Sequence, residues 1–579
     1  MRRPLAACAL LLALYGGLSL LNDPRAYLGT DTGGKVATLK VMTERGRLDP
    51  DVGYWAEQWD PDGRVHPLYY TSRYGHRWVN ATTLPVLYAA YPLYQLGGYR
   101  LALLLPMLGS VLSALAARAL ARRLSGGNRE SDGWAAFWIV GLASPLLIYA
   151  LDFWEHSIGV AAMAWAVVLL LDAMEGRRGW PAFLGGGALF GVAASVRTEA
   201  LVYAFVAVGG ACLALVVWRR RPVQAVVGGL AATAGLLVPL AVNYALEVAT
   251  VGTAIRFGRA TGTASAAVSG AVGTSGAGAG VVGTRVEEAM LNAAALSPQL
   301  EPLSYFVGFG VVLLLAYATW RLGHVPERVP VFEAGEASSK VAVSGGAGDV
   351  GPAVLAAVGV GALYLIRFAS GPGFVPGLVA TTPLAVVGLV LGWRSAAGRY
   401  VLGVALVGLP LVWATQFSGG ASPQWAGRYL LVSGLFLGVA GAVALAALPR
   451  WARTAAVGLA VTVTGFGVVW MSIRTHDFAR AEAALHRRPE PVLVSRIGHL
   501  VREGGAFYGD RRWLTAPTDA DQKFAVHVIE QAGVTRFGLV EESVDADADA
   551  DIPGWRRVGS EELELVAGLQ ITVTSYEGG

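Results

Sequence analysis

Long runs of hydrophobic residues, separated by short polar or charged stretches, recur along the chain from residue 5 to residue 472. A membrane-spanning helix needs about 20 predominantly apolar residues. The pattern therefore predicts an all-α, polytopic membrane domain over residues 1–472, with about 11–13 transmembrane helices. The predicted spans are 5–22, 99–120, 134–151, 157–174, 181–196, 199–218, 223–246, 303–321, 352–370, 375–393, 399–417, 427–447 and 453–472.

The composition agrees with a chain that lies in a bilayer. Hydrophobic residues make up 54% of the sequence and charged residues only 15%, which excludes a soluble globular protein of this length. The net charge of +4 comes from arginines between the apolar runs, so it reflects orientation in the membrane and predicts no nucleic-acid partner. The two cysteines, Cys8 and Cys212, lie in apolar runs, which argues against a disulfide framework and against a thiolate metal site.

Clusters of arginine fall on alternate loops between the predicted spans. By the positive-inside rule, such loops face the cytoplasm. We therefore predict a multi-pass protein of the cell (plasma) membrane, with a cytoplasmic N-terminus and an extracytoplasmic C-terminal domain. The clusters are Arg2-Arg3, Arg118 to Arg129, Arg177-Arg178, Arg219 to Arg221, Arg321 to Arg328, Arg394 to Arg399 and Arg450 to Arg453.

Four polar regions connect or follow the predicted spans. The first external loop, 23–80, is rich in aromatic residues that suit either sugar stacking or anchoring at the membrane interface. Residues 247–302 carry an Ala/Gly/Ser/Thr/Val stretch that favours a flexible external loop, and 323–351 reads as a cytoplasmic linker. The tail, 473–579, returns to a soluble composition and predicts a small α/β domain, to which the sequence assigns no chemistry.

Ionisable groups near the membrane boundary are candidates for function, because they are costly to place there. Asp31, in YLGTDTGGK after the first span, suits a general base, although the same residues form a good turn. The short turn from Asp152 to His156, which includes Glu155, suits binding a cation or orienting a hydroxyl group. The alternative for this turn is a hydrated connection in which Trp154 anchors at the interface.

Two arginines on the same predicted face add positive charge. Arg197, in Arg197-Thr198-Glu199, interrupts an apolar stretch and suits a bidentate contact with a phosphate, or else a structural ion pair with Glu199 or Asp152. Arg428, in SPQWAGRY, enters the membrane from outside, where either an anionic lipid headgroup or snorkelling explains it. The predicted topology places all four polar groups on the extracytoplasmic side.

These features together resemble the GT-C superfamily of polytopic glycosyltransferases, which use sugars carried on polyprenyl phosphate. The matching features are an acidic residue in the first external loop, the acidic turn, the Arg197-Thr198-Glu199 element, the QWAGRYL stretch and the external tail. The resemblance covers residues 1–472. It implies a hexosyl- or pentosyltransferase that moves a sugar from a polyprenyl-phosphate carrier to an extracytoplasmic lipid, glycan or protein by inverting attack.

The resemblance also implies roles for individual residues. Asp31 would be the general base, and Arg197 and Arg428 would stabilise the leaving polyprenyl phosphate. Many family members carry two adjacent acidic residues at the first-loop position, whereas Thr32 follows Asp31 here. Three other first-loop carboxylates are therefore alternative bases: Asp23, Glu44 and Asp60. The substrate-binding group implied by the resemblance is Lys35, Asp152, Glu155, His156, Arg197, Glu199 and Arg428.

The sequence leaves two other functional classes open. A transporter or lipid flippase would also place charges at membrane depth, although such proteins often carry matching sets in two halves, which this sequence does not show. A non-catalytic envelope protein would use the tail as a binding module. No cofactor follows from the sequence, and the need for a divalent cation stays undecided. A glycine-rich nucleotide fingerprint after a strand is absent from the sequence.

Overall fold

The computed structural model of the chain describes residues 2–80, 83–126, 129–255, 303–323, 377–416, 425–543, 552–563 and 570–578. Most of the predicted flexible loop 247–302, the linker 323–351 beyond its first residue, and the predicted span 352–370 lie outside these residues.

Within the described residues, helices of membrane-spanning length follow the hydrophobic pattern closely. Eight of them are long and apolar enough to cross a bilayer, and three shorter apolar helices, at Arg3–Ser19, Val312–Gly323 and Leu384–Arg394, accompany them. The predicted fold class, an all-α polytopic membrane protein with a small C-terminal sheet domain, is confirmed. The helices are α1 (Arg2–Ser19), α2 (Thr30–Arg45), α3 (Leu84–Ala102), α4 (Leu104–Leu124), α5 (Glu130–Leu142), α6 (Pro145–Ala150), α7 (His156–Met174), α8 (Gly179–Val196), α9 (Glu199–Val217), α10 (Pro222–Val251), α11 (Leu303–Gly323), α12 (Leu378–Thr381), α13 (Leu384–Leu391), α14 (Ala396–Gln416), α15 (Leu431–Ala444) and α16 (Arg450–His486).

Within the described residues, two predicted spans are divided. Span 375–393 contains α12 and α13, which are separated at Thr382 and Pro383. Span 134–151 is made of α5 and α6, which are separated at Ala143 and Ser144. The hydroxyl of Ser144 accepts a hydrogen bond from the Leu146 N–H, and Pro145 occupies the first turn of α6. A capping serine followed by proline starts a new helix, because proline lacks an N–H group and has a φ angle that suits the first helical turn.

The C-terminal region contains, after α16, the elements β3 (Val492–Ser495), α17 (Leu500–Glu503), β4 (Arg512–Thr515), α18 (Asp519–Gln531), β5 (Arg536–Glu542), β6 (Trp555–Leu563) and β7 (Ile571–Gly578). The five strands form a mixed sheet in the order β4-β3-β5-β7-β6. Strands β3 and β4 run parallel to their neighbours, whereas β6 and β7 are antiparallel. Helix α16 is continuous across the boundary predicted at residues 472 and 473, so the sheet domain is attached directly to the last membrane helix.

The first external loop packs against this sheet domain. The loop contains α2 and a short hairpin of β1 (Thr71–Tyr74) and β2 (Arg77–Asn80). The Trp55 indole N–H donates to the Trp513 carbonyl oxygen at 2.8 Å, and the Thr515 N–H donates to the Val65 carbonyl oxygen at 3.0 Å. These contacts join segments more than 400 residues apart, and the loop and the tail therefore form one unit at one end of the helices.

Candidate functional site

Asp31 lies in the first turn of α2, where the helix dipole favours a negative charge. Its Oδ2 accepts a hydrogen bond from Arg428 Nη1 at 2.8 Å. On its other side, Oδ1 lies 3.3 Å from Arg502 Nη2. The carboxylate is thus held between an arginine of the membrane domain and an arginine of the C-terminal tail.

The protonation state of Asp31 follows from this geometry. Burial by itself would raise the pKa of the carboxyl group, but the positive charges of Arg428 and Arg502 outweigh burial and hold the pKa below its usual range. Asp31 is therefore ionised at neutral pH. Its side chain is 28% exposed, so it remains within reach of a ligand.

A second set of charges lies one helical turn along α2. Lys35, four residues after Asp31, forms a salt bridge with Glu155. The other carboxylate oxygen of Glu155 lies 3.2 Å from Arg197 Nη1, and Arg197 Nε donates to Glu199 Oε1 at 2.8 Å. All four side chains are buried, so the four charges neutralise one another in a place that water reaches poorly.

The ring of Tyr429 connects the two sets of charges. The guanidinium groups of Arg197 and Arg428 each lie 4.9 Å from its centroid, within range for a cation–π interaction. Arg428 follows Ala426 and Gly427, which both have positive φ angles of 65° and 61°. This left-handed turn directs the arginine towards Asp31.

The remaining predicted residues of the acidic turn are buried beside these charges. Asp152 accepts hydrogen bonds from the Tyr99 hydroxyl and the Phe153 N–H, both at 2.9 Å. Burial raises the pKa of Asp152 to about 6 in spite of these bonds, which favour the carboxylate. His156 packs against Tyr149, and neither nitrogen of its buried ring has a hydrogen-bond partner among the described residues. The structure therefore places both residues next to the ion-paired groups.

All eight residues singled out in the sequence thus lie in one cluster. The alternative first-loop bases lie elsewhere. Asp23 pairs with Arg25, and the side chain of Glu44 is 58% exposed at the far end of α2. Asp60 is buried and accepts hydrogen bonds from the Tyr54 hydroxyl and from two backbone N–H groups of its own loop, which indicates a structural role.

Sequence reasoning missed Arg502, because it lies in the tail and no sequence pattern marks it. Arg502 is only 2% exposed, and its Nε donates to the Asn80 side-chain oxygen at 3.2 Å. Gly33 permits this close approach, because a Cβ atom there would lie 1.7 Å from the Arg502 carbonyl oxygen. The Thr-Asp-Thr-Gly-Gly stretch therefore has two roles. It carries the acidic residue Asp31, and it starts a helix in which Gly33 allows close packing against the tail.

The opposite end of the helix bundle has a different character. Along α7, Asp172 lies about 24 Å from His156 at 1.5 Å per residue, a distance comparable to the hydrocarbon core of a bilayer. There Asp172 pairs with Arg123 at 2.7 Å and approaches Arg177 at 3.8 Å. The candidate site and these predicted cytoplasmic arginine clusters are therefore at opposite ends of the same helices.

The lysine and arginine side chains of the candidate site suit the binding of an anion. Within the part of the chain that the structure describes, no group of three or more His, Cys, Asp or Glu residues is arranged to hold a metal ion. The carboxylates of Asp31, Glu155 and Glu199 are each paired with lysine or arginine. A guanidinium group binds a carboxylate or a phosphate with the same geometry, since both ligands present two oxygens to it.

Comparison with known proteins gives a structural likeness only. No family model matches the sequence, and no curated protein matches it. The structure is similar to the archaeal oligosaccharyltransferase AglB from Archaeoglobus fulgidus in complex with an inhibitory peptide and a dolichol-phosphate: 13% identity, TM-score 0.44, covering 92% of this chain and 69% of that chain. It is also similar to ArnT from Cupriavidus metallidurans bound to undecaprenyl phosphate: 13% identity, TM-score 0.38, covering 98% of this chain and 97% of that chain.

The first of these proteins is an oligosaccharyltransferase in complex with a dolichol-phosphate, and the second is bound to undecaprenyl phosphate. Both TM-scores lie below 0.5, so these likenesses by themselves assign the chain to no superfamily. Identities of 13% give no correspondence between individual side chains. The chemistry of the site therefore has to follow from the residues of this chain.

Proposed function

We propose that this protein is a membrane glycosyltransferase that moves a sugar from a polyprenyl-phosphate carrier to an acceptor hydroxyl on the extracytoplasmic side. The observation that carries this proposal is the position of the Asp31 carboxylate between Arg428 and Arg502. In this arrangement the Asp31 carboxylate accepts a proton, and the two adjacent guanidinium groups bind a phosphate. A sugar phosphodiester attacked by a hydroxyl group needs both functions side by side.

The proposed reaction is a single inverting displacement. The acceptor oxygen forms a bond to the anomeric carbon, and the bond from that carbon to the phosphate oxygen breaks. The acceptor proton passes to Asp31, and the electron pair of the broken bond stays on the phosphate. The carboxylate loses one negative charge while the leaving phosphate gains one, so the total charge in the site is unchanged.

This exchange of charge explains why the same two arginines contact Asp31 in the resting protein. Before donor binding they stabilise the carboxylate. Once a phosphate binds to them, Asp31 shares or loses its partners, and its pKa rises towards the range that suits a base. The arginines then stabilise the negative charge that develops on the phosphate, in a site where low dielectric strengthens such contacts.

The buried ion pairs next to Asp31 balance the charges of the site and hold its side chains in place. The four cations Lys35, Arg197, Arg428 and Arg502 face the three ion-paired carboxylates Asp31, Glu155 and Glu199. Asp152, with a pKa of about 6, adds a fourth negative charge at neutral pH, so the charges of the site are nearly balanced before a donor binds. The ring of Tyr429 lies against both Arg197 and Arg428, so the ion pairs that fix Arg197 help to position the phosphate-binding Arg428 through this ring.

The same topology supports an extracytoplasmic site in the cell membrane. The arginine-rich ends of the helices would face the cytoplasm by the positive-inside rule. The candidate site and the sheet domain lie at the other end, where sugars on flipped polyprenyl carriers are presented. The acceptor is then an extracytoplasmic lipid, glycan or protein.

Transfer of radiolabelled sugar from a polyprenyl-phosphate pool, in membranes that contain the protein, tests this proposal. Asp31→Asn removes the base and keeps the shape, so we expect transfer to fall by about 10²- to 10⁴-fold. Asp23→Asn is the matched control, because Asp23 is a first-loop carboxylate outside the cluster, and it should transfer at the wild-type rate.

Two results would count against this assignment. Equal transfer by wild type and Asp31→Asn would move the base to another carboxylate, with Asp152 the first to examine because of its raised pKa. If the inserted protein moves none of a panel of sugars, the transferase proposal fails, and transport of the lipid carrier becomes the next function to measure.

A further inference from the structure

Two neighbouring tyrosines stand exposed at the edge of the Asp31 site. Tyr69 is 41% exposed and Tyr70 is 55% exposed, and their rings meet edge to face with centroids 4.4 Å apart. The guanidinium carbon of Arg502 lies 5.2 Å from the centroid of the Tyr70 ring. The aromatic pair therefore lies directly beside the arginines that we propose bind the phosphate.

Tyr70 is held in an uncommon backbone conformation, with a φ angle of 65°. A bulky residue in the left-handed region is strained, and such strain persists only where the surroundings impose it. Here the buried side chain of Asn80 donates to the Tyr69 carbonyl oxygen at 3.1 Å and to the Thr71 hydroxyl at 2.9 Å. Asn80 thus fixes the chain on both sides of Tyr70.

The same asparagine connects this strained turn to the candidate site. Its side-chain oxygen accepts a hydrogen bond from Arg502 Nε at 3.2 Å. One side chain therefore sets the position of the exposed ring and of a phosphate-binding arginine together. A ring that served only to anchor the loop in lipid would not need to be positioned relative to Arg502.

We propose that Tyr70, supported by Tyr69, is the stacking platform for a sugar ring at the Asp31 site. The proposal rests on the function proposed above and names a binding surface within that site. A sugar joined to a phosphate on Arg428 and Arg502 is one bond away from that phosphate, which places its ring beside the tyrosine. The flat aromatic face offers the apolar surface on which the C–H side of a pyranose or furanose packs.

The sugar on this platform belongs either to the donor or to the acceptor, and binding measurements separate the two. The probes are undecaprenyl phosphate and undecaprenyl phosphate that carries glucose, mannose or arabinose, each titrated against the purified full chain. Tyr70→Gly removes the ring and also suits the positive φ angle, so it does not add backbone strain. Tyr70→Phe keeps the ring.

If the platform holds the donor sugar, Tyr70→Gly weakens binding of the sugar-bearing lipid by roughly three- to tenfold and leaves binding of undecaprenyl phosphate unchanged. If it holds the acceptor sugar, donor binding is unchanged and the KM for the acceptor rises by roughly the same factor. Tyr70→Phe stays close to wild type in both cases.

Tyr244→Ala is the matched control, because Tyr244 is 54% exposed on α10 and lies outside the cluster. It should alter neither measurement. The proposal is overturned if Tyr70→Gly matches wild type both in lipid binding and in the KM for the acceptor. It is also overturned if Tyr244→Ala changes these values as much as Tyr70→Gly does. If wild type binds the sugar-bearing lipid more tightly than undecaprenyl phosphate but transfers no sugar, the platform stands and the transferase proposal fails. If wild type shows neither this difference in binding nor sugar transfer, both proposals fail.

Discussion

Arg502 provides the most direct test of whether the C-terminal tail completes the site. Arg502→Gln removes its positive charge, which lies 3.3 Å from the Asp31 carboxylate, and keeps a donor that can reach Asn80. A hydrogen bond to a charged group contributes about 1.5–3 kcal/mol. If the same group stabilises the leaving phosphate, kcat/KM for sugar transfer should fall by about 10- to 100-fold.

The pH dependence distinguishes this role from a loss of structure. Asp31 acts as a base only when it is ionised, so activity falls as the pH drops through its pKa. The charges of Arg428 and Arg502 hold that pKa below its usual range against the opposing effect of burial. Removing one of the two charges raises the pKa. The acidic limb of the kcat profile, which reports the donor-bound protein, should therefore move to higher pH.

Arg474→Gln is the control for this experiment. Arg474 pairs with Glu503, the neighbour of Arg502, at 3.2 Å, so its loss disturbs the same junction between helix and tail without touching Asp31. The control should lower thermal stability and leave the acidic limb in place. An Arg502→Gln profile whose acidic limb coincides with that of wild type would refute the electrostatic role assigned to Arg502.

Two further predictions concern the packing that holds the site together. Gly33→Ala should destabilise the docked tail by about 2–4 kcal/mol, because the new methyl group would overlap the Arg502 carbonyl oxygen. Thermal unfolding measures this loss of stability. Gly17→Ala is the control and should keep the wild-type stability, because Gly17 has open space around it. Glu155→Gln should cost about 3–5 kcal/mol, since it leaves a buried lysine and a buried arginine without their shared carboxylate. Denaturant unfolding measures that cost, exposed Glu44→Gln is the control, and equal stability of the two variants would contradict the argument.

The sequence allowed the membrane helices and the face of the site to be predicted, because both depend on local properties. Hydropathy locates spans such as α7 and α9 to within a residue or two, since a bilayer imposes a fixed apolar length. Arginine counting then assigns each loop to a side. Asp31 and Arg428, 397 positions apart, were placed on one face by these rules alone, and the structure joins them by a hydrogen bond.

What could not be predicted depends on contacts between distant segments. Arg502 stands in a tail of ordinary soluble composition, and only the packing of α2 on that tail makes it part of the candidate site. Tyr429 lies inside the QWAGRYL stretch, but its position between two guanidinium groups needs the left-handed turn before Arg428. Neither contact has a local signature, because a side chain's neighbours across the fold are set by packing and not by hydrophobic period.

Backbone strain shows that these distant contacts are enforced. Among the described residues, the non-glycine residues with positive φ angles are Tyr70, Arg220 and Ala426. Tyr70 flanks the site on the loop side, beside Arg502, and Ala426 flanks it on the membrane side, two residues before Arg428. Tyr70 and Ala426 thus flank the same site from different parts of the chain, whereas Arg220 lies in the predicted cytoplasmic arginine cluster. A carboxylate in an incidental surface ion pair would need no strained supports, whereas a site that must hold a proton acceptor and a phosphate a few ångströms apart depends on them.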